Sequence, residues 1–429
     1  MKKRRRSRLS VGTIVMLVLT ACVLAATAAF LFLIAGDGVY ERAYAAFNLL
    51  AETQKPTDAP SPEPTIKPLD TPVATAMPTA EPTAEPTPSP GLTTFTLAAA
   101  GTVYAPKAIR ESAQESGGHY DFLSVLNGIG DTLSAADLAI VTLETTTAGR
   151  EKGYGNYNTT PEILDALRAC GVDLVALATE RALDRGYDGL DLTLSELTSR
   201  SLAYAGVYPY SGNGSATMMN IDGVQVAVLA YSYGLSDEGR EQTKNDAVGV
   251  LALMDIQKMT QDITRARVDG ANIVIVLPHW GTKNRAETPE SVRVLANTLA
   301  QAGADVILGT HPNVAQGVER IHTVRSDGLT YETVVCYSLG CLLTDARSSE
   351  NTAGMAVNLT LVYDSNTRRA YPGEMKITPL YIASQRKDGK NVYRVVDAED
   401  EQALSKLTIA EQQAAAQAVL RVRQAVKGE

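Results

Sequence analysis

The stretch from Gly171 to Gly186, G-V-D-L-V-A-L-A-T-E-R-A-L-D-R-G, limits the fold more than any other part of the chain. Residues 172–178 form a short, nearly continuous apolar run, which predicts a strand buried on both faces, the habit of parallel sheets covered by helices. Thr179, Glu180 and Arg181 leave its C-terminal end, and Gly186 opens a helical pattern through Leu190, Leu192, Leu194 and Leu197. Polar side chains are thereby delivered where open α/β sheets bind ligands, outside the carboxyl ends of the strands.

The flanking sequence repeats this alternation. Strands are predicted over 95–103, 138–143, 224–231, 273–278 and 306–308, and helices over 122–129, 161–170, 254–267 and 290–302, an α/β signature. Asp222-Gly223 and Asp327-Gly328, each between apolar runs, predict hairpins. Further strands are expected over 314–324, 331–339, 356–363, 374–382 and 392–396. A helical tail over 409–426 is either packed or loosely docked.

The first 92 residues follow other rules. Lys2, Lys3, Arg4, Arg5, Arg6 and Arg8 precede an uncharged run over 9–36. A secretory apolar region needs only ~7–15 residues and a bilayer span ~20, so the run predicts an uncleaved signal-anchor transmembrane helix over 1–36. The positive charges place the N-terminus in the cytoplasm and the main domain outside the membrane. Leu19-Thr20-Ala21-Cys22 resembles a lipobox, a competing reading in which Cys22 carries lipid. Residues 37–92 read as a short helix and then a Pro/Thr/Glu-rich linker with a Thr-Ala-Glu-Pro repeat at 79–86. Extended at ~3.1 Å per residue, ~40 such residues reach on the order of 100 Å. The α/β domain is expected over 93–384, followed by a C-terminal strand and helical tail over 385–429.

The net charge of −9, reached despite the basic start, argues against nucleic acid as a partner. Cys336 and Cys341 lie five residues apart on a strand pattern, ~16 Å at ~3.3 Å per residue and beyond the ~7 Å reach of a disulfide, so no bridge is expected between them.

Six short blocks carry a family resemblance. They are Ala99-Ala100-Gly101-Thr102-Val103; Ala136 to Thr145, ending Thr142-Leu143-Glu144-Thr145; Ala178 to Gly186; His279-Trp280-Gly281; Gly309-Thr310-His311-Pro312-Asn313-Val314; and Tyr337-Ser338-Leu339-Gly340-Cys341. Together they resemble the CapA-like family of poly-γ-glutamate capsule-synthesis proteins, related to the calcineurin-like metallophosphoesterases. The resemblance implies a four-layer α-β-β-α sandwich and a crevice lined by Thr102, Glu144, Glu180, Arg181, His279, Trp280, His311 and Asn313. It also shows what is missing: Thr102 stands for a metal-binding Asp, Glu180-Arg181 for an Asn-His pair, Lys283 for an acid and Asn313 for a second His. Glu144, His279 and His311 remain as vestigial metal ligands.

A dication beside Arg181 would meet a fixed positive charge, at roughly 4 kcal/mol per unit-charge pair at ~4 Å and an effective dielectric of ~20. The expected protein is therefore a membrane-anchored, extracytoplasmic member without a cofactor, a binding or scaffold component for poly-γ-glutamate or a similar anionic cell-surface polymer beside membrane synthase partners. The alternative is an active metal-dependent hydrolase or transferase in which Glu144, Glu180, His279 and His311 hold one divalent metal. Arg181 is expected within salt-bridge reach of Glu144, in the space an ion would fill. Lys283, Arg181, Arg185 and Arg285 form either a basic mouth or solvated surface.

Overall fold

The computed structural model describes residues 91–427, apart from 209–215, 245, 248, 326, 347 and 388. The expected membrane helix, the lipobox cysteine and the linker up to residue 90 lie outside the described residues. Among the described residues no helix is long and apolar enough to cross a membrane.

In chain order the elements are β1 (Leu92–Val103), α1 (Lys107–Ala113), α2 (Leu123–Leu126), α3 (Gly130–Ser134), β2 (Leu138–Leu143), α4 (Glu162–Ala169), β3 (Leu174–Ala176), α5 (Gly186–Ser199), β4 (Ala203–Ala205), β5 (Thr217–Ile221) and β6 (Val224–Ser232). They continue with α6 (Asp237–Thr243), α7 (Ile256–Val268), β7 (Ile273–His279), α8 (Glu290–Ala302), β8 (Val306–Leu308), β9 (Val318–Val324), β10 (Thr330–Cys336), β11 (Cys341–Leu343), β12 (Ala353–Asp364), β13 (Arg369–Lys387), β14 (Lys390–Asp397), α9 (Glu401–Leu404) and α10 (Ile409–Lys427).

Both sheets are mixed. The first has the order β14-β13-β12-β1-β2-β3-β4, with β11 also beside β1; β1 to β4 are parallel, and β12 to β14 return antiparallel. The second has the order β5-β6-β7-β8-β10-β9, with a parallel centre and antiparallel edges. Parallel neighbours need crossovers, which α7 supplies between β6 and β7 and α8 between β7 and β8.

Side-chain alternation decides the layering of the second sheet. Val226, Val228, Ile273, Ile275, Val306 and Val334 share one core with the first sheet, whereas Ala227, Leu229, Val274, Val276, Ile307 and Val335 pack with Met259, Ile263, Leu295 and Leu299 of α7 and α8. Strand periodicity thus places successive residues in two different cores.

Several local expectations change. The helix expected over 122–129 breaks into α2, a 3-10 turn and α3, because Gly128 lies against β14, where an added Cβ would come 2.1 Å from the Val395 carbonyl oxygen. The strand expected from 314 begins at Val318, since the preceding residues form a loop at the strand ends. Asp222 (φ 49°) and Gly223 (φ 86°) both take the left-handed conformation of a type I′ turn. At the second hairpin Gly328 (φ 78°) does so and the loop is longer. β13 runs unbroken across the expected boundary at 384/385. The tail is packed: Ala415, Ala418 and Val422 are buried, and the Glu411 carboxylate accepts from Ser384 N at 2.9 Å. Cys170, Cys336 and Cys341 are buried free thiols.

Candidate functional site

The carboxyl ends of parallel strands from both sheets meet in one crevice. From the first sheet come Thr102 at the end of β1, Glu144 just beyond β2, and Glu180 and Arg181 after β3; from the second come Tyr233 after β6, His279 ending β7, and His311 and Asn313 after β8. His311 has φ 97°, a left-handed backbone that L side chains rarely adopt, and such outliers gather at functional sites.

Glu144 is fully buried, and neither carboxyl oxygen has a hydrogen-bond partner among the described residues. Its neighbour His279 Nε2 lies 3.6 Å from Oε2. The Tyr104 hydroxyl is near but donates to Asn313 Oδ1 at 2.9 Å. Burial first, then the charge of Glu180, pushes Glu144 up to about 8, with Tyr104, Lys283 and Arg181 opposing. Burial thus favours the protonated form of this carboxyl.

The histidines form a short chain. His279 Nδ1 lies 3.0 Å from Thr310 Oγ1, and His279 Nε2 lies 3.2 Å from His311 Nδ1. Burial, His311 and Lys283 hold His279 well below its ordinary value. Burial lowers His311 to about 4, with Glu180 opposing and Lys283 assisting. Two neutral imidazoles with one proton between them satisfy this geometry.

Glu180 is the charged partner of the crevice. Burial pushes it up, but Lys283 and Tyr233, both bonded to its carboxylate, leave it below the usual carboxylate range. The Tyr233 ring also packs against His311, with centroids 4.5 Å apart. The two charged side chains acting on His311, Glu180 and Lys283, are thus bonded to each other.

Arg181 does not pair with Glu144 as expected. Its guanidinium lies 2.9 Å from Glu238, 3.3 Å from Asp184 and 3.6 Å from Glu180, and sits 3.9 Å from the Tyr157 ring centroid. Asp184, three residues on, and Glu238, at the start of α6, outcompete the more remote Glu144. Trp280, which could equally have been a packing anchor, is one and does not line the crevice: it packs in the helix-side core of the second sheet, its Nε1 donating to Tyr337 O at 2.9 Å. Thr102 is buried beside Cys341, its hydroxyl without a partner. Of the basic side chains at the mouth, Lys283 turns in to Glu180, Arg185 donates to Gly153 O and Asp184 O, and Arg285 is exposed.

The sequence reading missed Tyr233, Tyr104 and Ser236. Ser236 caps α6 through Gly239 N and donates to Asp184. The signal was present for Tyr233, since Ser232-Tyr233-Gly234 leaves the strong β6 pattern at the same sheet edge as His279.

These donors fit a divalent cation poorly. The cation would stand against Lys283 and Arg181, and Glu180 is already bonded to Lys283 and Tyr233. Among the described residues no group of three or more His, Cys, Asp or Glu side chains is arranged to hold a metal ion.

Residues 96–346 match the model of the family described as bacterial capsule synthesis protein PGA_cap. Over 229 residues the chain is 27% identical to the PGA biosynthesis protein CapA of Bacillus subtilis (strain 168), covering 53% of this chain and 55% of that one. Over 188 residues it is 26% identical to the capsule biosynthesis protein CapA of Bacillus anthracis, covering 43% of each. The chain thus spans about half the length of these curated relatives. Among solved structures it is similar to the calcineurin-like phosphoesterase YfkN of Bacillus subtilis (14% identity, TM-score 0.42, 78% of this chain and 97% of that one). The NAD nucleotidase NadN of Haemophilus influenzae gives 13% identity and TM-score 0.42, covering 78% of this chain and 57% of that one.

Proposed function

The chain belongs to the bacterial capsule synthesis protein PGA_cap family, and from that premise we propose that it serves the synthesis, export or anchoring of poly-γ-glutamate or a similar anionic surface polymer without a working metal centre. In this reading the domain is a four-layer sandwich of the metallophosphoesterase type, held outside the cell by the N-terminal helix and spacer, next to membrane synthase partners. The observation that supports the loss of the metal is the ion cluster in the crevice, where Lys283 and Arg181 both engage Glu180.

The test is elemental analysis of the full-length chain purified without chelator, with phosphodiesterase assays in added Mn2+ or Zn2+. Substoichiometric metal and no activity are expected. Stoichiometric metal that disappears in His279→Ala would establish the second reading, a single-metal hydrolase or transferase. That reading is favoured by one feature, the donor-to-donor spacings of 3.2 and 3.6 Å among His311, His279 and Glu144. For the anchor, mass spectrometry of membrane-extracted protein should find the intact N-terminus; a chain beginning at a lipidated Cys22 would replace the signal anchor with a lipoprotein.

A further inference from the structure

A cavity of about 650 Å³ opens at the end of the second sheet where β7 and β8 begin, the end away from His279 and Glu144. Arg267, Arg325, Arg368 and Arg369 line it, with Asp305 and Asp327 as the carboxylates. Four guanidinium groups against two carboxylates leave a surplus of two positive charges, in a chain whose net charge is −9.

Two of these arginines have structural duties. α7 and α8 both end here, and helix C-termini leave carbonyls without partners. Arg267 donates to Asn272 O at 2.6 Å and to Gly303 O at 2.9 Å, and pairs with Asp305. Arg325 donates to Ala304 O at 2.9 Å and lies 3.3 Å from the other oxygen of Asp305. One buried carboxylate therefore serves two guanidinium groups. Arg325 Nε has no acceptor, and burial together with Arg267 holds Arg325 below its ordinary value, with Asp305 opposing.

The other two arginines have no such duty. Arg369 donates to Thr330 O, and its guanidinium stands 4.5 Å from the Tyr331 ring centroid, the same ring that Arg325 approaches to 4.1 Å. Arg368 sits at the tip of the β12–β13 hairpin with φ 55°, exposed, with no hydrogen bond or ion pair to any described residue. Tyr331 thus steadies two guanidinium groups at the wall, and Arg368 adds free donors at the rim. Planar forks of this kind match carboxylate and phosphate oxygens, and the volume lies in the usual range of ligand sites, ~300–1,000 Å³.

We propose that this arginine-lined cavity binds an oxyanion ligand, carboxylate or phosphate, carrying more than one anionic group. The inference does not depend on the polymer reading, because any such ligand supplies the missing acceptors.

Calorimetric titration of the full-length chain with a short γ-linked glutamate oligomer, and separately with inorganic pyrophosphate, tests it. Saturable binding by at least one probe is expected, weaker at higher salt. The double variant Arg368→Asn/Arg369→Gln should weaken it by roughly tenfold or more. Asn tolerates the left-handed backbone at 368, so the hairpin is preserved. Binding by pyrophosphate alone, lost in the variant, supports the site and identifies its ligand as a phosphate. No saturable binding of either probe overturns the inference. So does binding that survives the double variant but is lost in Lys283→Ala, which would put the anion in the crevice and leave the polymer reading intact.

Discussion

The two ends of the second sheet treat cations in opposite ways. At the carboxyl end, Lys283 and Arg181 each find a carboxylate, with Glu180 shared between them and Asp184 and Glu238 added for Arg181. At the amino end, Asp305 is shared by two arginines while Arg368 and Arg369 lack a carboxylate within ion-pair distance among the described residues. The first end is closed in charge, its cations matched by carboxylates, and the second is open, with positive charge in surplus. The two ends share a sheet but, among the described residues, no ion pair, so the charge balance at one does not set that at the other.

Glu144 should give the largest effect, since it is the carboxyl that the closed end leaves without a cation. In chelator-treated protein its raised value means that the folded state keeps a proton the unfolded chain has released. Stability should then fall as pH rises from about 4.5 to about 8 and level off above that. The slope is at most about 1.4 kcal/mol per pH unit. Glu144→Gln should remove this slope, so that between pH 5 and 8 the variant gains up to ~4 kcal/mol relative to the parent in urea unfolding. Parallel pH profiles would show that a cation or bound ion compensates Glu144 after all. Next comes Glu180→Ala, which leaves Lys283 and the Tyr233 hydroxyl without their acceptor. Because Lys283 is 38% exposed and Arg181 keeps two other carboxylates, the loss should be about 3 kcal/mol, at the low end for breaking a buried pair. An unchanged unfolding midpoint would mean that the cluster does not close the crevice.

The parts of this comparison that local chemistry dictates were legible in the sequence. The apolar run before Thr179 and the turn at Gly186 locate the crevice, and Asp222-Gly223 becomes the turn its residues demand. Of the two roles open to Trp280, pocket wall or packing anchor, strand alternation points to the second: the residue directly after His279, just past the end of β7, faces the opposite core. The Arg181 partnership was half legible. Asp184 lies three residues away, but Glu238 reaches the same guanidinium across 57 residues through the placing of α6, which no local pattern announces. The break in the 122–129 helix likewise comes from β14 packing onto Gly128, a contact between segments far apart in the chain. The arginine cavity was invisible for the same reason, since its lining comes from α7, α8 and two hairpins far apart in the chain.

A smaller effect is expected at Tyr233, whose hydroxyl bonds the charged Glu180 and whose ring packs on His311. Tyr233→Phe keeps the ring and removes one charge-assisted hydrogen bond, a loss of about 1.5 kcal/mol. The unfolding curve should shift accordingly, and Glu180 should titrate higher by NMR because one of the groups holding it down is gone. A stability loss without that shift would mean the hydroxyl serves packing and not the ion cluster.

The smallest effect should come from the open end, where small size is itself the diagnostic. Arg368 has no described partner, and Arg369 gives the fold one carbonyl bond and its contacts with tyrosine rings. Arg368→Asn should leave stability within ~0.5 kcal/mol, and Arg369→Gln should cost no more than about 1 kcal/mol. At low ionic strength removing either charge relieves repulsion in a cavity that holds two surplus positive charges, so the cost should shrink further as salt is lowered, opposite to the trend for a stabilising ion pair. Urea unfolding of both variants at two salt concentrations reads this directly. A loss of several kcal/mol, greatest at low salt, would show that these arginines are bound into the fold by acceptors of its own, and the two ends of the sheet would then be alike.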